Sequence, residues 1–239
     1  TAQLAMGAVT GVQPGERVLV HAAAGGVGLA AAQVLRVLGA VPVATAGSPS
    51  KRSLLRSLGV QHVVGSRDTQ FVGPLACLGG VDVVLNSLTS PGMVGGSLSV
   101  LRRGGRFVEI GKRDIWAPAA AAAERPDVAY SLLAVDFLPD EGVQSALQRV
   151  AAGVAAGQLA PLPTVSYSLS SAAAALRQMS QARHVGKVVV TNSQPSQPCH
   201  AVGRVLVTGG LGAVGTLVAQ WLAGNSVRQL HLLLCCLCR

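Results

Sequence analysis

The sequence predicts an α/β protein built on a doubly wound parallel sheet, followed by the truncated start of a second unit of the same kind. Three observations carry this expectation. Short Val-rich apolar runs alternate with helical patterns from Arg17 to Lys112. One such run passes straight into a glycine-rich turn and a helix, "VLVHAAAGGVGLAAAQVLRVLGA" at 18–40. A second cluster of the same design, "VLVTGGLGAVGTLVAQWLA", follows at 205–223. Continuous apolar strands joined by helical crossovers imply a parallel sheet covered on both faces. The right-handed crossover rule then gives the doubly wound, Rossmann-type arrangement.

Taken in order, "RVLVHA" is a strand and the helix after it runs from about Gly26 to Gly39. "VPVATA" is a strand, "SKRSLLRSLG" a helix and "QHVVG" a strand, with a weak helix near "TQFVGPLACLG". "VDVVLN" is a strand, "GMVGGSLSVLRRG" a helix and "GRFVEIG" a strand. Past Lys112 the pattern loosens into the Ala-rich "WAPAAAAAERPD". It recovers as a strand in "AYSLLAVDF", helices in "VQSALQRVAAGVAAG" and "SSAAAALRQMSQA", and a strand in "VGKVVVT". The polar, Pro-punctuated "NSQPSQPCHAVG" reads as a linker. The expected division is therefore a domain at 1–191, a linker at 192–203 and the truncated second unit at 204–239.

Composition narrows the function classes. Half of the 239 residues are hydrophobic and 12% are charged, which is a globular composition. The net charge of +9 comes mainly from scattered Arg, with Lys only at Lys51, Lys112 and Lys187. No basic run is interleaved with aromatics, so small anionic molecules bearing phosphates are expected rather than nucleic acid. The apolar runs are too short to span a bilayer, and "TAQLAMGAVTG" lacks the flank and cleavage site of a signal peptide. A cytoplasmic protein without a membrane segment is the expectation. Cys77, Cys199, Cys235, Cys236 and Cys238 fit neither a disulfide framework nor a zinc site, so buried reduced thiols are expected and no metal is assigned.

The first glycine cluster reads as a dinucleotide turn. Ala23 stands where the first glycine of the fingerprint would be, Gly25 is the second and Gly28 the third. Gly25 lets the backbone approach a pyrophosphate, and Gly28 lets the helix pack close to the strand. Gly26 and Val27 open the helix whose free N–H groups face the phosphate oxygens. An NAD site places an acid at the end of the second strand. Here that strand ends "ATAGSPSKR", and Ser48, Lys51 and Arg52 stand in the acid's place. Hydroxyls and cations suit a 2′-phosphate, so the cofactor expected is NADPH.

"HAAAGGVGLAAAQ", "GVDVVLNSL", "GGRFVEIGKRDI", "LLAVDF" and "MSQARHVGKVVV" together resemble the enoyl reductase domain of polyketide synthases and animal-type fatty acid synthases, a zinc-free medium-chain dehydrogenase/reductase. The resemblance runs from about Thr1 to Thr191. The second cluster resembles the opening of the ketoreductase domain that follows in such synthases, with Gly210, Gly212 and Gly215 at the three-glycine spacing.

The resemblance implies NADPH-dependent reduction of an α,β-enoyl thioester held on an acyl carrier protein, alongside other synthase domains and in a homodimeric synthase. The family's Lys and Asp, which support the enolate or its protonation, map onto Lys112 and Asp136. Lys112 follows a strand at the sheet's carboxyl edge, where ligands of such folds bind. Arg67, in "SRDTQF", reaches toward the adenosine phosphate, and Asn86 and Gly111 lie where the nicotinamide rests. His21 reads as a core or turn histidine bonded to backbone. The family's first, barrel-like lobe and the catalytic residues of a ketoreductase are absent from the sequence. The alternatives are a free-standing quinone or alkenal reductase and a noncatalytic NADPH-binding fragment.

Overall fold

The computed structural model describes residues 1–192, 204–208, 213–224 and 229–233. It divides into two units, one of residues 1–167 and 171–189 and one of residues 168–170 and 190–239.

The first unit opens with a π-helical segment, Leu4–Val9. Its strands are β1 (Arg17–Val20), β2 (Val41–Ala46), β3 (His62–Gly65), β4 (Val81–Asn86), β5 (Leu101–Glu109) and β6 (Ala129–Leu132). All pair in parallel, in the order β3-β2-β1-β4-β5-β6. The helices between them are α1 (Gly26–Val37), α2 (Pro49–Ser57), α3 (Val72–Cys77), α4 (Met93–Ser99) and α5 (Pro118–Glu124). Because successive residues of a strand face opposite sides, Val18 and Val20 enter one core cluster with α1, while Leu19 enters another with α3 and α4. Phe71, Phe107, Leu19 and Leu85 are all 2% exposed or less. Each such side chain stabilises the fold by about 1.5–3 kcal/mol relative to exposure. The order reverses beside β1, whose neighbours are β2 and β4, and a crevice opens there at the carboxyl ends.

Three expectations are corrected. "LRRG" is strand, not helix: β5 begins at Leu101, and its register against β4 shifts between Val81 and Val83. Gly104, at φ +72°, ends any helical course, and Arg102 turns back to pair with Asp82 at 2.9 Å. The Ala-rich stretch after Lys112 is the short helix α5, started by Pro118. Cys77 is exposed rather than buried; the other cysteines lie outside the described residues.

Beyond β6 come a 3₁₀ turn (Val135–Phe137) and α6 (Asp140–Ala155). Strand β7 (Thr164–Ser168), which the sequence reading missed, pairs with β8 (Lys187–Thr191), and α7 (Ala172–Ser180) lies between them in the chain. The second unit contains a parallel pair, β9 (Arg204–Thr208) with β10 (Gln229–Leu233), joined through α8 (Ala213–Gly224). Gly215 is buried in α8. Gly210, Gly212 and nearly all of the expected linker lie outside the described residues. No described helix is long and apolar enough to cross a membrane.

Candidate functional site

A cleft of about 1020 Å³ opens at the carboxyl ends of β1 and β2. Gly25, Ser48, Lys51, Arg67, Ser90 and His184 are among its lining residues, and none of the lining residues is acidic.

The glycine turn forms its floor. Gly25 is the extended N-cap residue of α1. A methyl group added there would meet only the Ala22 carbonyl at 3.3 Å, leaving room for a ligand's approach. At Gly28 a methyl would lie 2.4–2.6 Å from backbone atoms of Ala23, so only glycine lets α1 pack this close to the turn. Ala23 is buried, and its N–H donates to the Thr45 carbonyl at 2.9 Å. Val27, in the first turn of α1, packs half-buried against the core. Gly26 abuts the Lys187 side chain and the Gly186 carbonyl, because the chain at Gly186 crosses the turn, its N–H donating to the Ala24 carbonyl at 2.9 Å.

His21 braces this turn from beneath. It is 3% exposed; its ring bonds to two hydroxyls, Thr45 Oγ1 at 3.0 Å and Ser97 Oγ at 2.8 Å, while its backbone N–H donates to the Leu85 carbonyl at 3.1 Å. Ser97 Oγ donates to the Met93 carbonyl, so His21 Nε2 carries the proton and Nδ1 accepts from Thr45. Thr45 Oγ1 in turn accepts from the Ala22 N–H at 3.3 Å, steadying a residue held at φ +48°. Burial pushes the His21 pKa down to about 3, so the ring is neutral.

Three cations line the cleft, Lys51, Arg67 and Arg183. Lys51 Nζ donates to the Ala182 carbonyl at 2.6 Å, and Arg67 Nε donates to the Gly47 carbonyl at 3.2 Å. Partial burial, with the charge of Arg67 added, lowers the Lys51 pKa. An anion between the two would relieve that repulsion. Ser48 caps α2, accepting from the Lys51 N–H at 3.3 Å. Arg52, expected beside Lys51, is not among the lining residues; its guanidinium turns back to donate to the Ala46 carbonyl at 3.2 Å. The wall made by Gln181–Val185 was not foreseen, and within it His184 Nδ1 is buried with no hydrogen-bond partner.

Further along the same edge, Lys112 Nζ donates to Asp136 Oδ2 at 2.7 Å. The two residues are 24 apart in sequence, and the parallel pairing of β5 with β6 brings their following loops together. Both side chains are more than half exposed, so the pair contributes little to stability. The hydrogen bond from Lys112 lowers the Asp136 pKa, which keeps the carboxylate ionised. Asn86, expected to face a ligand with its amide, is wholly buried; the amide donates instead to Glu109 Oε2 at 2.6 Å and to the Leu88 carbonyl at 3.1 Å. Gly111 donates its N–H to Glu109 Oε1 at 2.6 Å. Sequence reading missed Glu109, although a lone acid inside the apolar "RFVEIG" was the signal available.

Comparison with known proteins gives a consistent picture. Residues 58–190 match the family model described as zinc-binding dehydrogenase. The chain is 45% identical over 228 residues to the spectinabilin polyketide synthase system protein NorB of Streptomyces orinoci, covering 95% of this chain and 10% of that protein. It spans about a tenth or less of the length of the first curated relatives it matches. The X-ray structure of the nucleotide-binding subdomain of the enoylreductase domain of PpsC from Mycobacterium tuberculosis is 37% identical, with a TM-score of 0.60. That match covers 66% of this chain and 93% of the other. The quinone oxidoreductase of Thermus thermophilus, solved with and without NADPH, is 33% identical with a TM-score of 0.69, covering 80% of this chain and 62% of the other.

Proposed function

The chain belongs to the zinc-binding dehydrogenase family, among the enoyl reductase domains of polyketide synthases, and from that premise we propose that it binds NADPH and reduces an α,β-enoyl thioester carried on an acyl carrier protein, beside other domains of a synthase. The observation that carries the reading is the Lys112–Asp136 pair, 2.7 Å apart on the sheet edge where ligands of this fold bind.

The cleft fits a dinucleotide: the open approach at Gly25 and the N-terminus of α1 suit the pyrophosphate, and Lys51 with Arg67 suits a 2′-phosphate. When bound, NADPH supplies the hydride taken up by the β-carbon of the enoyl group. Lys112 donates a hydrogen bond to the thioester oxygen as that oxygen gains negative charge, and the resulting enolate takes a proton from solvent water at its α-carbon to complete the saturated thioester. Asp136 accepts from the ammonium and holds it in place. For the zinc of the family's description the residues do not fit, since among the described residues no three His, Cys, Asp or Glu side chains are grouped as a donor set.

The β9–α8–β10 arrangement supports reading 204–239 as the opening of a ketoreductase domain. The likeness to a quinone oxidoreductase favours one competing activity, turnover of a free quinone. Steady-state kinetics of the full-length protein with NADPH saturating separates the readings. Lys112→Ala is expected to lower kcat for an enoyl thioester by about 100-fold or more. Unchanged enoyl turnover in that variant, or quinone turnover without enoyl turnover in the wild type, would overturn the proposal.

A further inference from the structure

Glu109 is a carboxylate only 1% exposed at the end of β5, directly after the buried Phe107 and Val108. Burial is costly for an ionised acid and raises its pKa, so a hydrophobic residue of similar size would serve packing better. Both carboxylate oxygens are engaged, Oε2 by the Asn86 amide and Oε1 by the Gly111 N–H, each at 2.6 Å. Asn86 is itself fixed, because its Nδ2 donates to the Leu88 carbonyl at 3.1 Å while its Oδ1 accepts the Leu88 N–H at 3.2 Å. Flipping the amide would lose both bonds. The carboxylate also presses on the chain it holds, since a methyl at Gly111 would lie 2.8 Å from Oε1. Glu109 serves the other loop through its backbone, its carbonyl accepting the Leu133 N–H at 2.9 Å. One residue thus ties down the segment leading to Lys112 and the segment leading to Asp136.

We propose that Glu109, oriented by Asn86, is a positioning residue that fixes the Gly111–Lys112 backbone so that the Lys112 ammonium meets the substrate oxygen. This rests on the reading of Lys112 given above. The bonds to Asn86 and Gly111 fix which atom of residue 109 must accept at each place. Glu109→Gln sets an amide N–H against one of two donors. In Asn86→Asp/Glu109→Gln the amide and the carboxylate trade places and the bond between the two side chains is restored, while the donor to the Leu88 carbonyl is lost.

The test uses the full-length protein, NADPH and a crotonyl pantetheine thioester as probe. Glu109→Gln is expected to lower kcat about 10- to 100-fold, with KM for NADPH changed less than about twofold, as expected when only transition-state interactions are lost. The exchanged double variant should regain part of the lost kcat, short of wild type because Asn86→Asp removes the donor to the Leu88 carbonyl. In a Lys112→Ala background, Glu109→Gln should cost nothing further, because its effect acts through the lysine. Wild-type kcat in Glu109→Gln, or an equal loss with and without Lys112, would overturn the inference while leaving the role of Lys112 standing. Wild-type turnover in Lys112→Ala would overturn the reading of Lys112 and this inference with it. Should Glu109→Gln fail to fold, Glu109→Asp, which keeps the charge and shortens the reach, is read by the same criteria.

Discussion

Substituting the two glycines of the cleft floor separates packing from ligand approach. A methyl at Gly28 would lie 2.4, 2.6 and 2.6 Å from Cα, C and O of Ala23, all backbone. Ordinary carbon contacts are about 3.5–4.0 Å, so α1 would have to back away by about 1 Å. Overpacking of this kind costs about 1–3 kcal/mol, and the better helix propensity of alanine returns at most about 1 kcal/mol. Gly28→Ala is therefore expected to lose about 2 kcal/mol of stability with no cofactor present. At Gly25 the methyl has open space apart from one carbonyl at 3.3 Å. Gly25→Ala should cost no more than about 1 kcal/mol as a cap change, yet obstruct the pyrophosphate and weaken NADPH binding at least tenfold. Urea denaturation and fluorescence titration with NADPH read the two effects separately. A Gly28→Ala protein as stable as wild type, or a Gly25→Ala protein that binds NADPH undiminished, would refute the geometric reasoning.

Three further outcomes follow from the site. His21 is neutral in the fold with its pKa pushed down to about 3, against an ordinary value of 6.5. Between those values the unfolded chain binds the extra proton, so stability is full above pH 6.5 and falls as pH drops toward 3. Relative to His21→Gln, the wild type should lose about 2 kcal/mol between pH 7 and pH 5 in urea titrations, and equal pH slopes would count against the buried neutral ring. Lys51→Ala, and separately Arg67→Ala, should weaken NADPH by about 10- to 100-fold while changing NADH little; equal losses for both cofactors would remove the 2′-phosphate assignment. Asp136→Asn should lower kcat for enoyl reduction with the melting temperature unchanged, since the pair is exposed, and a large drop in melting temperature would mark the pair as structural.

The sheet was legible because its signal is repeated: every strand from β1 to β5 contains an apolar run, and the glycine turn between β1 and α1 announces the parallel crossover. Lys112 and Asp136 emerge from the family resemblance, and only Lys112 also from its place at the sheet's carboxyl edge; what brings them together is that β6 ends at Leu132, so both lie in loops after neighbouring strands. What sequence could not supply was direction. Lys51 and Arg52 are adjacent and both cationic, yet one helical step turns Arg52 back onto the Ala46 carbonyl while Lys51 lines the cleft. Asn86 ends its strand as expected, but a buried acid 23 residues later captures its amide. The start of β5 within "LRRGG" was hidden because two arginines look like a solvated helix end until folding brings Asp82 and the Gly79 carbonyl alongside Arg102. The Gln181–Val185 wall has no local pattern at all; it depends on the chain crossing the turn at Gly186.

In the proposed reaction hydride passes at this site from NADPH to the β-carbon of an enoyl thioester. That transfer is tested most directly by turning over a crotonyl pantetheine thioester with the full-length protein and NADPH deuterated at both C4 positions, and locating the label by mass spectrometry. The expected product is a saturated thioester carrying one deuterium at the β-carbon, formed at a rate that collapses in Lys112→Ala. Absence of the saturated product, or a product without deuterium at the β-carbon, would contradict it.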